Sequence, residues 1–306
     1  MRKRLYYCDH YTIPLPPGHR FPTAKYRRLR DILATDCAFE FENSPLASRS
    51  DIELAHDPEY VRRFLDGSLT PVVLRRIGFP WSEGLVKRTL ASVGGTLSAT
   101  EEAFRTGWGG NLAGGTHHAF RNEGSGYCVF NDLAIAVRVL QEAGKIYRAA
   151  IIDLDVHQGD GTAEIFGDDP HVLTISLHCR SNFPFRKQRS QIDVELADGT
   201  GDEEYLQALD QVLPRMLAFD PQVIFYQSGV DGLKSDTLGK LALTEAGLRE
   251  RDHRVAAAAL AQQSPLIVTL GGGYSEPMEL TAQAHANTYR IVAGTFTPQT
   301  MDHELH

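Results

Sequence analysis

Four short apolar runs set the organisation of this 306-residue chain. They are Ala149–Leu154, Val172–Leu177, Val223–Gln227 and Leu266–Leu270. Each run is rich in β-branched residues and almost continuously apolar, which is typical of strands that are buried on both faces of a parallel sheet. We therefore expect a central parallel sheet, with ligands bound beyond the carboxyl ends of its strands.

Longer stretches with helical character lie between these runs. The helical candidates are Leu85–Arg105, Asn131–Ala143, Glu203–Ala218 and Thr244–Gln263. Ser82 and Asn131 stand where helix-capping side chains are expected. The alternation of strands and helices predicts right-handed crossovers and an α/β fold. Because the composition does not change abruptly along the chain, we expect residues 1–306 to form one domain.

Composition and charge exclude several classes of protein. With 42% hydrophobic residues the chain can bury a substantial core. The net charge of -8 argues against an extended nucleic-acid interface, which needs a basic face. A signal peptide is not expected, and no run approaches the roughly 18 apolar residues of a membrane span. The four cysteines contain no C-x-x-C pair, so we expect reduced thiols in a cytoplasmic protein with neither nucleic acid nor membrane as partner.

Acidic residues and a histidine follow the first apolar run. Asp153, Asp155 and His157 fall on one face if the extended conformation continues, because side chains alternate along a strand. Two carboxylates and an imidazole at a sheet end need a counter-charge, which a metal dication would supply. The alternative is a polar strand end with aspartates that cap a turn.

Asp231 follows the third apolar run in the same way. It would complete an Asp/His/Asp set with Asp155 and His157. Three protein ligands leave one coordination position open for water, as in catalytic rather than structural metal sites. Taken alone, Asp231 before Gly232 is more typical of a turn.

Two glycine-rich segments add groups that can transfer protons or donate hydrogen bonds. Gly114–His118 delivers His117 and His118 together, for ligation or for proton transfer near neutral pH. Gly271–Tyr274 follows the fourth run, and its phenol could donate to a developing oxyanion or simply pack in a turn. A phosphate-binding loop is not favoured, because the Lys-Ser/Thr pair is missing.

Taken together, these segments resemble the histone deacetylase superfamily. The matching segments are Gly114–His118, Gly124–Asp132, Asp153–Gly161, Thr174–His178, Asp231 and Gly271–Tyr274. The resemblance covers nearly the whole chain. It implies the arginase–deacetylase α/β fold, with a mostly parallel sheet of about eight strands flanked by helices. It also implies a metal-dependent amidohydrolase that removes acyl groups from Nε-acyl-lysine in proteins or peptides.

The resemblance also implies a role for each residue of the site. The metal ligands would be Asp155, His157 and Asp231, which suit Zn²⁺, with Fe²⁺ as the alternative. The catalytic groups would be His118 as general base and acid, His117 as its electrostatic neighbour, Asp153 and Asp160 as their orienting carboxylates, and Tyr274 as oxyanion donor. The substrate tunnel would be lined by Gly126, Tyr127 and Phe183. A structural K⁺ would lie near Asp153, Asp155, His157, Ser176 and Leu177, held partly by backbone carbonyls.

Within the superfamily the chain looks most like the class IV branch. Gln158 follows His157 where other classes usually have histidine or asparagine, and Lys25 stands in place of an internal arginine. The rim aspartate of many members is missing from Ile77–Trp81, while Arg180–Arg189 adds positive charge near the expected mouth. A solvated basic loop is the simpler interpretation of that charge.

Three alternatives accompany this hypothesis. An arginase-like enzyme would need further carboxylates for a second metal, where this chain has Gly159 and Leu233. A deacylase of acetylpolyamines or other small acylated amines would keep the same chemistry with another substrate. A metal-free reader of acyl-lysine would have lost its ligands or Tyr274, which are all present.

Overall fold

The computed structural model describes residues 2–297 and contains one eight-stranded sheet. The strands are β1 (Lys3–Tyr7), β2 (Phe39–Asn43), β3 (Trp108–Asn111), β4 (Ala149–Asp153), β5 (Val172–Cys179), β6 (Ile192–Leu196), β7 (Ile224–Gln227) and β8 (Leu266–Thr269). Their order across the sheet is β2-β1-β3-β8-β7-β4-β5-β6, and all neighbouring pairs are parallel. The expected mostly parallel sheet of the arginase–deacetylase fold is therefore confirmed.

Ten helices flank the sheet in the described part of the chain. They are α1 (Ala24–Leu33), α2 (Arg49–Glu53), α3 (Pro58–Leu65), α4 (Pro71–Ile77), α5 (Glu83–Thr106), α6 (Asp132–Glu142), α7 (Asp160–Ile165), α8 (Asp202–Ala218), α9 (Glu245–Gln262) and α10 (Met278–Phe296). Four of them, α5, α6, α8 and α9, are the helices that the sequence predicts. The expected caps are present, since the Ser82 hydroxyl accepts from the amide of Leu85 and the Asn131 side chain accepts from that of Ala134.

The four predicted strands are β4, β5, β7 and β8, and all of their residues are buried. Alternate side chains of β4 enter the core on opposite faces of the sheet. Ala150 and Ile152 join one apolar cluster, while Ala149 and Ile151 join the other. Burial on both faces explains why these strands lack the polar alternation of a half-exposed strand.

The sheet order decides where the functional segments lie. Strands β3, β8, β7 and β4 are consecutive neighbours, although they are far apart in sequence. Their carboxyl ends lead into the segments that carry His117 and His118, Tyr274, Asp231, and Asp155 with His157, respectively. Four adjacent strand ends therefore deliver the candidate site to one edge of the sheet.

Two further observations concern membrane-spanning helices and cysteines. Within residues 2–297 no helix is both long and apolar enough to cross a membrane. The four cysteines, Cys8, Cys37, Cys128 and Cys179, are all free thiols.

Strand β3 has the sequence Trp-Gly-Gly-Asn because helix α5 packs directly on it. A Cβ atom at Gly109 would lie 1.9 Å from the carbonyl oxygen of Ala99 in α5. Only glycine allows the helix to approach the strand this closely.

We therefore expect Gly109→Ala to lower the free energy of unfolding by about 1–3 kcal/mol, because the helix must move away from the strand. The control is Gly294→Ala at an exposed position of α10, where an added Cβ meets no atom within 4 Å. That change should be neutral or stabilising by up to about 1 kcal/mol. Urea denaturation measures the free energy of unfolding of both variants. Equal stabilities of the two variants would refute the close-packing interpretation.

Candidate metal centre and its cavity

Asp155, His157 and Asp231 form a cluster in which the potential ligand atoms all lie within 4.8 Å of one another. Nδ1 of His157 is 3.0 Å from Oδ1 of Asp155 and 3.1 Å from Oδ2 of Asp231. The two carboxylates are fully buried, and only the imidazole is partly exposed. The three predicted ligands thus converge at one point.

The electrostatics of this cluster fit a bound cation. Within residues 2–297 no lysine or arginine lies within ion-pairing distance of Asp155 or Asp231. Burial, together with the charge of Asp155, raises the pKa of Asp231 to about 7. Burial alone would lower the pKa of His157, but its hydrogen bonds to both carboxylates raise it to about 10. A protonated imidazole then lies between the two carboxylates, and a dication with one nitrogen and two oxygen ligands can replace that proton.

Backbone amides fix the orientation of both carboxylates. The amide of Gly272 donates to Oδ2 of Asp155 over 2.7 Å, and the amide of Val156 donates to Oδ1 of Asp231 over 2.8 Å. A Cβ atom at Gly272 would lie 1.9 Å from Oδ2 of Asp231. The glycine run after β8 is therefore needed for the close approach of its backbone to the cluster.

Asp153 does not join this cluster. The alternation of side chains along an extended strand predicted that it would share a face with Asp155 and His157, and this prediction is wrong. Strand β4 ends at Asp153, so the extended conformation stops before the ligands. Oδ1 of Asp153 accepts from the amide of Asp155 over 3.1 Å, and its other oxygen binds His117. Its neighbour in the sheet register is Ser176 of β5. The K⁺ site near these two residues stays a prediction.

Two histidine–aspartate pairs stand beside the cluster. Nδ1 of His117 donates to Oδ2 of Asp153, and Nδ1 of His118 donates to Oδ1 of Asp160, each over 2.6 Å. The two rings are adjacent, with centroids 4.1 Å apart. Each carboxylate holds the Nδ1 proton and leaves Nε2 as the second functional atom of its ring.

The two imidazoles differ in protonation. Burial lowers the pKa of His117, but the carboxylates of Asp153 and Asp155 outweigh this effect and raise it to about 9. Burial and the charge of His117 lower the pKa of His118 to about 4, against the effect of Asp160. A neutral His118 next to a protonated His117 can accept a proton at Nε2.

Tyr274 also lines the cavity, in the segment after β8. Burial and the surrounding acidic groups raise the pKa of its phenol well above the usual value, so that it keeps its proton. Its backbone amide donates to Oδ2 of Asp236 over 2.6 Å. Asp236 also accepts from the amides of Leu238 and Gly239, which links the segments after β7 and β8.

A cavity of about 720 Å³ connects these groups to the surface. The lining includes all three cluster residues, both histidines and Tyr274, together with the predicted tunnel residues Gly126, Tyr127 and Phe183. The Phe183 ring meets that of His118 edge to face at 4.9 Å. Gly126 has φ +53°, and a Cβ atom there would lie 2.7 Å from the His118 ring.

Asp132 organises the loop that carries His117 and His118, although in the sequence it stands out only as the last residue of the matching segment Gly124–Asp132. Its carboxylate accepts from the amides of Gly115 and Thr116 and from the hydroxyls of Thr96 and Thr116. Gln227 at the end of β7 donates to the carbonyl of Gly115 over 2.8 Å. An acidic residue at the start of a helix gives no local sign of such a role.

Arg251 is a second supporting residue that the sequence did not indicate. It is completely buried on α9 and pairs with Asp252 over 2.8 Å. Nη1 donates to the carbonyls of Gly229 and Leu154 over 2.6 and 3.3 Å. These carbonyls belong to the two segments that carry Asp231 and Asp155, so one guanidinium holds both.

Comparison with known proteins gives a consistent result. Residues 19–291 match the family model described as histone deacetylase domain. A Picosynechococcus protein described as uncharacterized is 46% identical over 95% of this chain and 98% of its own length. Histone deacetylase 2 of Arabidopsis thaliana is 33% identical over 84% of this chain and 70% of its own. The crystal structure of the HDA15 HD domain superposes with a TM-score of 0.78 at 23% identity, covering 98% of this chain and 90% of that one, which shows the shared fold.

We expect Arg251→Met to lower the free energy of unfolding by about 3–5 kcal/mol, because it leaves the buried Asp252 carboxylate without its cationic partner. It should also weaken the binding of a divalent ion in competition with a chromogenic chelator, because both ligand segments lose a common support. The matched control is Arg254→Met, one helical turn further on α9, where the ion pairs are partly exposed and contribute about 0–1 kcal/mol. Equal effects of the two changes would show that Arg251 has no special role.

Proposed function

The chain belongs to the histone deacetylase superfamily, and from this premise we propose that it is a Zn²⁺-dependent hydrolase of Nε-acyl-lysine in proteins or peptides. The family and the deacetylase activity follow from the match over residues 19–291. The metal, the substrate and the residue roles are part of the proposal. One observation carries it: a cavity whose floor unites an Asp/His/Asp cluster, two histidine–aspartate pairs and a tyrosine phenol.

Asp155, His157 and Asp231 would hold the ion. When bound there, a divalent cation polarises an amide carbonyl and lowers the pKa of water. The one-nitrogen, two-oxygen set suits Zn²⁺, and Fe²⁺ is the alternative. The ligand arrangement leaves the imidazole side open to the cavity, which is where a substrate carbonyl would enter.

The remaining groups have complementary roles. His118 accepts a proton from water at Nε2 as the water oxygen bonds to the acyl carbon. It then gives this proton to the lysine nitrogen as the carbon–nitrogen bond breaks, leaving a free amine and a carboxylate. Asp160 keeps the ring in the required orientation, and the charge of His117 and the Tyr274 phenol stabilise the developing oxyanion.

Gly126, Tyr127 and Phe183 would contact the acyl-lysine stem. Tyr127, which has φ +66°, and Phe183 both contribute aromatic rings to the lining of the cavity. A K⁺ near Asp153 and Ser176 and the class IV-like character of Gln158 belong to the same proposal. So does the assignment of residues 1–306 to one catalytic domain, which the sheet from Lys3 to Thr269 supports.

Protein purified without added metal and without chelator should contain about one equivalent of a transition metal, since three preorganised ligands form one site. Chelation should abolish turnover of an acetyl-lysine peptide, and Zn²⁺ or Fe²⁺ should restore it. Elemental analysis together with the turnover assay tests this. Less than about half an equivalent of metal, or activity that survives chelation, would contradict the proposed site.

We expect Tyr274→Phe to retain the metal while kcat/KM for acetyl-lysine peptides falls by about 10²–10³, the usual effect of removing an oxyanion donor. Tyr147→Phe is the control, because Tyr147 is 63% exposed and precedes β4 at the opposite edge of the sheet. Steady-state kinetics measure kcat/KM of both variants, and elemental analysis measures their metal content. Activity of the Tyr274 variant at the parent rate would remove Tyr274 from the mechanism.

A further inference from the structure

The open end of the cavity is surrounded by positive charge. Four exposed basic residues line the cavity, namely Arg20, Arg75, Arg76 and Lys240, and we call them the basic rim. They come from three separate segments: the loop before α1, the last turn of α4, and the segment after β7. Because the catalytic groups at the floor are buried, exposed residues of the lining must lie at the mouth.

Much of this charge is not neutralised by neighbouring residues. Arg76 donates to Glu123, and Nζ of Lys240 is 3.8 Å from Oδ2 of Asp198. Arg20 and Arg75 have no ion-pair partner in the part of the chain that the structure describes. The rim therefore presents free guanidinium groups to an incoming ligand.

Acidic side chains do not compensate the rim from within the cavity. Among residues 2–297, Asp155 and Asp231 are the only acidic residues in its lining, and both are buried at the floor among the proposed metal ligands. The chain as a whole carries a net charge of -8, so the basic mouth departs from the charge of the molecule. A local field of this sign attracts anionic ligands and repels cationic ones.

The mouth also offers apolar surface beside the charge. Phe185 lines it and is 89% exposed, next to Phe183 of the tunnel. An exposed aromatic ring among arginines fits a peptide chain that lies across the opening better than it fits a small ion. An acyl-lysine stem is uncharged, so its entry is not opposed, and the flanking residues of the peptide remain at the rim.

We propose that the basic rim selects acyl-lysine substrates whose flanking residues are acidic, and that it disfavours acylated polyamines. This inference rests on the proposed deacylase function. It assigns Arg20 and Arg75 as specificity-determining residues, separate from the groups that perform hydrolysis.

The test uses the metal-loaded full chain and three peptides that differ only in the residues around a central acetyl-lysine: aspartate and glutamate, serine and glycine, or lysine and arginine. A monoacetylated linear polyamine is the fourth substrate. We expect kcat/KM for the acidic peptide to exceed that for the basic peptide by about tenfold at low salt. The preference should shrink towards 1 M salt, where the screening length is about 3 Å. Polyamine turnover should be below that of the neutral peptide.

The double variant R20E/R75E should lose the acidic preference or reverse it, while kcat/KM for the neutral peptide changes by less than about twofold, since the neutral peptide carries no charge for the rim to attract. The matched control is K145E/R215E, which changes the net charge equally. Lys145 precedes β4 and Arg215 lies in the last turn of α8 before β7, so both lie at the opposite edge of the sheet. This control should retain the full preference.

The outcomes separate the two proposals. If the neutral peptide is hydrolysed but the three peptides do not differ, or if R20E/R75E behaves like the control, the rim proposal is overturned and the deacylase proposal stands. Preferred turnover of the polyamine also overturns it. If no substrate is hydrolysed, the deacylase proposal fails. Fluorescence anisotropy of labelled acidic and basic peptides then still measures the rim, and equal binding of the two by the parent chain would refute it.

Discussion

The structure depends on one electrostatic requirement: two buried carboxylates, Asp155 and Asp231, must coexist about 3 Å from a single imidazole. Burying charge without compensation is costly, and in the described residues neither lysine nor arginine forms an ion pair with these carboxylates. Backbone amides of Gly272 and Val156 satisfy part of their hydrogen-bonding capacity and leave the facing oxygens for a cation. This arrangement is maintained by the strand ends, by the glycine run after β8 and by helix α9, whose Arg251 binds the backbone of both ligand segments.

Many of the buried polar side chains form hydrogen bonds that hold the segments of the site in place. Asp252 accepts from Arg251, Tyr226 and Thr288, and Arg251 in turn binds the backbone beside both carboxylate ligands. On the other side, Asp132 and Gln227 hold the loop of His117 and His118 in the same manner. Asp252, Arg251, Asp132 and Gln227 thus have partners in connected hydrogen-bond networks, and such networks fix a unique geometry when they are satisfied.

The sequence predicted the parts of this molecule whose signal is local. Strands such as β4 are continuously apolar because they are covered on both faces, and Asn131 caps its helix through its own side chain. Strand β3 was missed because its two glycines are required by the close packing of α5 and carry no strand signal. Edge strand β6 (Ile192–Leu196) was missed because two of its five residues, Asp193 and Glu195, are polar and exposed. The strand order and the role of Arg251 are tertiary properties. An Arg-Asp pair on a charge-rich helix is more typical of a solvated face.

The acidic and the exposed basic groups of the cavity lie at different depths, and this bears on the choice between peptides and polyamines. Its floor holds the two buried carboxylates of the proposed metal ligands, whereas its mouth carries Arg20 and Arg75 without ion-pair partners in the described chain. An acylated polyamine must keep its remaining ammonium groups near that mouth while its neutral amide reaches the floor. A peptide has only an uncharged stem in the cavity and can place carboxylates at the mouth instead. The same positive charge therefore penalises one class of substrate and stabilises the other, without any contact to the acyl group that both share.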